Sequence, residues 1–230
     1  MIKTGAKKAA FLTIGQSPRD DILAELIPFL PGQVEILQAG ALDGLGRREI
    51  KDLAPEKREF PLISRLRDGS PAVVGRQKIL PRLKAKVNEL EVKGADIIAV
   101  LCTEDFPELS SKKPLILPFE VMKSEMEIRQ GVKKIAVVVP LKAQKNAATQ
   151  KWTFPAAQTK ITVLNPYATP KEHESDLQDF FGQISGYEPD LLIFDCLGFT
   201  ISFSRKIGEI TRLPFISPRL SLAHCLKQFI

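Results

Sequence analysis

Two cysteines stand at the ends of two similar apolar runs. Ala95-Asp96-Ile97-Ile98-Ala99-Val100-Leu101 leads into Cys102-Thr103, and Pro189-Asp190-Leu191-Leu192-Ile193-Phe194-Asp195 leads into Cys196-Leu197-Gly198-Phe199. Each run opens on an Asp and closes on a thiol. Two thiols that approach one carbon from opposite sides suit one reaction type. One removes a proton as thiolate, the other returns a proton as thiol, and the roles exchange with direction. The Cα–H of an amino acid is a very weak acid, so such a site needs placed donors to stabilise the carbanion. It also needs one thiol pKa lowered toward neutrality by helix N-termini, loop amides or a nearby cation.

The elements that must position these thiols are legible around them. An unbroken apolar run of this length reads as a strand buried on both faces of a helix-covered parallel sheet. The loops at the carboxyl ends of such strands carry the ligand site. Each half of the chain therefore presents one thiol at the rim of its own sheet.

In chain order, Ala9–Ile14 reads as the first strand, followed by Gly15-Gln16-Ser17-Pro18-Arg19-Asp20-Asp21. Gly15 permits a tight turn, Ser17 is placed to cap a helix and Pro18 suits its first position. Ile22, Leu23, Leu26, Ile27 and Leu30 give that helix an apolar stripe, closed by Pro31-Gly32. Val34–Leu37 is the second strand, ending at Gly40-Ala41-Leu42. The segment 43–68 reads as two short amphipathic helices separated near Pro55 and Pro61, and Ala72–Gly75 as a short strand, half of an edge hairpin. A helix over Ile79–Val92, the Cys102 strand, a strand at Leu115–Pro118 and a helix over Val121–Arg129 complete the first half.

The second half repeats the plan: a strand at Lys134–Val139, a helix at Lys142–Trp152, a strand at Ile161–Leu164, a helix at Glu172–Ile184 and the Cys196 strand. A helix at Ile201–Ile210, a short strand at Pro214–Pro218 and a final helix at Leu220–Phe229 follow. Ala10–Ile14 matches Ile135–Val139, the two cysteine strands match, and Leu115–Pro118 matches Phe215–Pro218. The unequal offsets between these anchors place an insertion, residues 43–75, in the first half. Alternating strands and helices give an α/β fold with parallel sheets. The expectation is two similar doubly wound lobes, residues 1–120 and 121–230, with the site in the cleft between them and the final helix returning to the first lobe.

Composition excludes several classes. The 230 residues are 44% hydrophobic and 26% charged, enough apolar material for real cores. The net charge of +6 is spread out, with no basic tract interleaved with aromatics, so a solvated basic surface is expected rather than nucleic-acid binding. No apolar run approaches the ~18–20 residues of a membrane span. Met1–Lys8 is short and basic but leads into a strand-length run, not a signal peptide. Three cysteines make no disulfide framework, so a reducing, cytoplasmic location is expected.

The strand-end motifs Val100-Leu101-Cys102-Thr103 and Asp195-Cys196-Leu197-Gly198, with the lobe repeat, resemble the aspartate/glutamate/hydantoin racemase superfamily. More closely, the chain resembles the AroM family through Leu12-Thr13-Ile14-Gly15-Gln16-Ser17-Pro18-Arg19, Leu53-Ala54-Pro55 and Asp195-Cys196-Leu197-Gly198-Phe199. The resemblance implies Cys102 and Cys196 as the catalytic pair. It also implies Gly15, Gln16, Ser17 and Arg19 of the first loop, Thr103 and Gly198 as binders of a small substrate carboxylate. Arg19 also suits this on its own terms, as a guanidinium at a helix N-terminus. Thr103 is followed by Glu104-Asp105, which would repel an acidic substrate unless they point outward, and Leu197 stands where many racemases carry Thr. Superfamily relatives are often dimers, so a homodimer is the assembly expected by analogy.

Other polar residues have plainer readings. Cys225 in the last helix reads as core, and His173 and His224 as surface or structural. Asp195, at an apolar strand end, needs a partner and reads as a cap on loop amides before a proton relay. No Cys or His pair has ligand spacing such as C-x-x-C, so no metal is expected. Gly15-Gln16-Ser17 lacks the glycine patterns of nucleotide loops, so no cofactor is expected. The function expected is a cofactor-independent racemase- or isomerase-like enzyme on a small carboxylate. A single-thiol reaction at Cys196, a non-catalytic carboxylate sensor and a reversible Cys102–Cys196 disulfide are the alternatives.

Overall fold

The structure, a computed structural model, describes residues 6–230, without the side chains of residues 170–173. The readings of residues 1–5 and of the His173 side chain lie outside the described residues. The chain divides into two compact units, one running to Val121 together with Leu222–Ile230, the other Met122–Ser221.

The first unit holds β1 (Lys7–Thr13), α1 (Asp20–Leu26), β2 (Val34–Gly40), α2 (Arg47–Asp52), β3 (Pro61–Arg65) and β4 (Pro71–Gly75). It continues through α3 (Arg76–Val92), β5 (Ile97–Leu101) and β6 (Leu115–Ile116) into α4 (Pro118–Glu127), which crosses into the second unit. Its main sheet has the order β2-β1-β5-β6, with every pairing parallel. The second unit holds β7 (Lys134–Val139), α5 (Lys145–Lys151), β8 (Gln158–Val163), α6 (Pro170–Tyr187), β9 (Leu191–Phe194), α7 (Ile201–Thr211), β10 (Phe215–Ile216) and the start of α8 (Pro218–Leu226). Its sheet, order β8-β7-β9-β10, is also parallel throughout. The two units thus repeat one winding, in which the first strand of each four-stranded sheet lies between that sheet's second and third strands in chain order.

Shared backbone contacts fix the equivalence residue by residue. Asp96 donates its amide to Lys8 O and accepts the Lys8 N–H on Oδ2, both at 2.9 Å. Asp190 does the same with Lys134, both at 2.8 Å, and also accepts the Lys133 N–H. The next pair matches too: Ile98 N donates to Pro114 O and Leu192 N to Pro214 O. The repeat therefore aligns Ala9 with Ile135, one residue from the alignment that apolar content alone suggests. Pro140 consequently corresponds to Ile14, not Gly15.

Side chains two apart on a strand share a face. Ile98, Val100 and Cys102 point into one core with Leu12, Leu83, Val87 and Leu90. Leu192, Phe194 and Cys196 point into the other with Val138, Phe180, Ile184 and Ile207. Burying each such large apolar side chain contributes about 1.5–3 kcal/mol.

Three local expectations change. Residues 43–68 form one short helix, α2, not two, and the stretch from Pro61 joins Ala72–Gly75 as the antiparallel hairpin β3–β4. Its turn closes by Leu66 N to Ser70 O and Gly69 N to Leu66 O, with Gly69 at φ +85°, a conformation glycine adopts at little cost. The first helix begins at Asp20, with Arg19 and not Ser17 at its N-cap. Ser17 is instead bound to Asp43, its amide at 2.8 Å and its hydroxyl at 2.6 Å. Cys225 is half-buried, not core, and His224 is exposed with its ring edge-on to Phe29. No helix among the described residues is long and apolar enough to cross a membrane.

Candidate functional site

Cys102 follows β5 directly, and Cys196 follows β9 after Asp195, whose amide extends the ladder to Val138 O at 2.9 Å. Both sulfurs accept the backbone N–H two residues on: Glu104 N at 3.4 Å and Gly198 N at 3.3 Å. The chain bends at the carboxyl end of the third strand of each sheet, so the amide after the bend points back at the thiol. Such a donor favours thiolate over thiol.

The surroundings of the two thiols differ. After Cys196 the chain turns, Phe199 N donating to Cys196 O, and enters α7, whose N-cap Thr200 accepts Phe203 N at 3.0 Å. A helix N-terminus carries partial positive charge. After Cys102 no helix follows; residues 103–114 reach β6 as a loop. That loop is tied down by Arg76 at the start of α3. Its guanidinium holds Glu108 through two hydrogen bonds, at 2.9 and 2.8 Å, donates to Asp105 O, and lies 3.3 Å from Glu104. The Phe106 ring packs 5.4 Å from the same guanidinium. The hydrogen bond from Arg76 holds the Glu108 carboxyl below its ordinary range, and Glu108 in turn strengthens the protonated state of Arg76. Glu104 is therefore neutralised within its own unit.

Asp195 binds a cation and an indole in place of the expected loop amides. Lys151 Nζ lies 2.8 Å from Oδ1 and 2.7 Å from Oδ2, and Trp152 Nε1 donates to Oδ2 at 2.6 Å. Leu197 O accepts Arg219 Nε at 2.8 Å from the buried first turn of α8. Gly198 packs beneath Pro166 and Tyr167: a Cβ added there would lie 2.8 Å from the Tyr167 hydroxyl.

The first loop satisfies its own donors. Gly15 N donates to Thr13 Oγ1, Gln16 N to Arg65 O, Ser17 N to Asp43 and Arg19 N to Gln38 Oε1. The hairpin covers this loop: Arg67 donates to Ser17 O and accommodates Gln16 Oε1 on its amide. Gly15 has no room for a side chain, since a Cβ there would lie 2.5 Å from both Arg65 O and Ser64 Oγ. The Arg19 fork, expected to face a ligand carboxylate, is closed on Asp21, with Nε to Oδ1 at 2.8 Å and Nη2 to Oδ2 at 2.9 Å. Thr103 is buried beside Cys102, and Gln16 and Ser17 are half-buried.

The first unit thus brings together Gly15, Gln16, Ser17 and Arg19 under the hairpin, and Cys102 with Thr103 on its sheet; the second brings Cys196 and Gly198 together. Sequence reading missed Asp43, Arg76, Lys151, Trp152 and Tyr167. Their partners lie on other elements, and only the isolated Asp195 in an apolar run signalled that one was needed. Among the described residues no group of three His, Cys, Asp or Glu is placed to hold a metal.

The model of the AroM protein family matches residues 9–230. The chain belongs to the AroM family. No curated protein matches it. Among solved structures, this AroM-family chain is similar to the aspartate racemase of Picrophilus torridus, at TM-score 0.67 and 14% identity over 97% of this chain and 94% of that one. It is similar to the allantoin racemase of Klebsiella pneumoniae, at 0.64 and 12% over 97% and 87%. It is also similar to the glutamate racemase of Francisella tularensis subsp. tularensis SCHU S4 in complex with D-glutamate, at 0.64 and 14% over 96% and 80%. At these identities the likeness establishes the racemase-like α/β fold with two lobes.

Proposed function

We propose that this AroM-family chain is a cofactor-independent racemase- or isomerase-like enzyme that moves a proton at the carbon beside the carboxylate of a small acid. Cys102 and Cys196 serve as its acid/base pair. One observation carries the reading: each thiol ends the third strand of a repeated sheet and accepts the amide two residues on. A substrate Cα–H gives its proton to one thiolate, the electron pair rests on the carbon beside the carboxylate, and the other thiol protonates the opposite face. The similar solved structures include an aspartate racemase and a glutamate racemase holding D-glutamate, which supports a small carboxylate ligand. In this reading Thr103, Gly198 and the side chain of Gln16 orient the carboxylate. Gly15, Ser17 and Arg19 shape the loop that presents Gln16, since their donors already have acceptors. Free thiols suit a cytoplasmic compartment.

A second reading, a single-thiol reaction at Cys196, draws on the asymmetry of the two turns, because only Cys196 leads into a capped helix. Proton NMR in D2O with a panel of amino and hydroxy acids tests both. Loss of an α-proton signal on one compound supports proton abstraction at carbon. Silence across the panel from folded protein with reduced thiols overturns it in favour of a carboxylate-binding protein.

A further inference from the structure

The Cys196 turn carries a buried charge that proton transfer itself does not use. Asp195, adjacent in sequence to Cys196, is 6% exposed. An ionised carboxylate withdrawn from water this far needs a paired charge or several donors. Lys151, the last residue of α5, supplies the charge to both oxygens at 2.8 and 2.7 Å, and Trp152 supplies an N–H at 2.6 Å. Lys151 is itself largely withdrawn from solvent, at 13% side-chain exposure, so the pair is only weakly screened.

Other groups of the same unit are also held against this turn. Arg219 donates to Leu197 O, the Tyr167 phenol lies over Gly198, the α7 N-terminus follows Thr200, and the Gly198 amide donates to the sulfur. All of these are cationic, neutral or donating. Asp195 is an anion one residue from Cys196; consecutive side chains leave opposite faces of the strand end, so its field reaches the thiol across the backbone and opposes ionisation.

We infer that Lys151 is a positioning residue for Cys196: by pairing with Asp195 it cancels a charge that opposes ionisation of the thiol on the next residue. The inference rests on the proposed function only in taking Cys196 as a thiol that must ionise. The pair also acts as a built-in reporter, because Trp152 is the single tryptophan of the chain and its indole is bonded to Asp195.

The test is a pH titration of ultraviolet thiolate absorbance on the full chain. Each variant is read against its own Cys196→Ser counterpart, so that the difference belongs to Cys196. Lys151→Met leaves Asp195 without its cation and moves the Cys196 midpoint up, on the order of one pH unit for a nearby weakly screened charge. Asp195→Asn removes the anion and moves it down. Lys151→Arg holds the midpoint near that of the parent, and the double variant Lys151→Met/Asp195→Asn returns toward it. Midpoints that stay still, or that move the same way in Lys151→Met and Asp195→Asn, overturn the inference, because a merely structural pair has no reason to give opposite signs. If Lys151→Met fails to fold, judged by circular dichroism, Asp195→Asn and Lys151→Arg decide alone. The titration needs no substrate. Opposite shifts with silent proton exchange would therefore sink the proposed function and spare this inference, and exchange without shifts would do the reverse.

Discussion

Gly198 donates its backbone N–H to the Cys196 sulfur at 3.3 Å, and Glu104 repeats the contact on Cys102 at 3.4 Å. Two sequences that share little beyond an Asp, an apolar run and a Cys thus fold into the same turn. The residue that supplies the amide differs, Glu in one and Gly in the other, because a backbone donor places no demand on the side chain. What it demands is the bend, and the bend is set by where the strand ends. The Asp at the start of each run fixes that register by accepting an amide at the start of the neighbouring strand, that of Lys8 near the beginning of β1 or of Lys134 at the beginning of β7.

If both thiols transfer protons, Cys102→Ala and Cys196→Ala each lower α-proton exchange by on the order of 10²–10⁴-fold, the usual contribution of a placed acid or base. Circular dichroism of both variants remains that of the parent. A Cys102→Ala protein with unchanged exchange beside a dead Cys196→Ala protein selects the single-thiol reaction.

Gly15 is caught between its own loop and the hairpin. Gly15→Ala drives a methyl into the backbone carbonyl of Arg65 and the Ser64 hydroxyl. The hairpin must shift, at a cost of about 1–3 kcal/mol. Urea unfolding measures it. Gly182, in α6 with nothing within 4 Å of an added Cβ, provides the contrast. Gly182→Ala stabilises by about 0.5–1 kcal/mol through helix propensity alone.

Asp190 couples the repeat to pH. The amides of Lys133 and Lys134 hold its carboxyl below the ordinary range. A carboxyl whose pKa is lower folded than unfolded adds stability above the unfolded value, about 3.9 for Asp, and loses it as pH falls toward the folded one. Melting temperature should therefore fall on acidification below about pH 4 more steeply in the parent than in Asp190→Asn, which starts lower at neutral pH. Parallel curves for the two proteins would contradict this.

Arg76 is expected to govern the order of the loop after Cys102. Arg76→Met leaves Glu104 and Glu108 without their shared cation and frees the Asp105 carbonyl. Losing these charge-assisted bonds costs about 1–3 kcal/mol. Hydrogen exchange followed by mass spectrometry should show faster exchange across residues 103–114, with the α3 core unchanged. Equal protection in parent and variant would mean that Phe106 and Leu109 hold the loop by packing alone.

Much of this architecture is legible in the chain because strands buried on both faces need continuous apolar runs, and each run here ends where its thiol begins. The repeat of the two lobes followed from matched anchors. The hairpin within the insertion was harder: Pro61-Leu62-Ile63-Ser64-Arg65 carries too short a pattern to separate strand from helix, and antiparallel pairing with Pro71–Gly75 decides it. Ser17 looked like a helix cap because local sequence offered no competitor, yet Asp43, far along the chain, takes both its hydroxyl and its amide. Asp195 announced its need for a partner by sitting in an apolar run, but periodicity could not identify Lys151. Side-chain partners across elements are set by packing, which no local pattern encodes.

Gly198 tests whether the thiol turn tolerates crowding. A Cβ there would lie 2.6 Å from Pro166 Cγ and 2.7 Å from Tyr167 Cζ, and neither a proline ring nor a phenol ring can bend aside at one atom. Gly198→Ala must therefore move either the loop after β8 or the turn itself. If the loop moves, the amide stays on the Cys196 sulfur, and the variant loses about 1–3 kcal/mol of stability while its thiolate midpoint stays put. If the turn moves, the amide is drawn off the sulfur and the midpoint rises as well. The expected result is the second. Leu197 is fixed by Arg219 and Asp195 by Lys151, so strain at Gly198 falls on the short stretch between those anchors and α7. A stability loss with an unmoved Cys196 titration would place the give in the Pro166–Tyr167 loop instead.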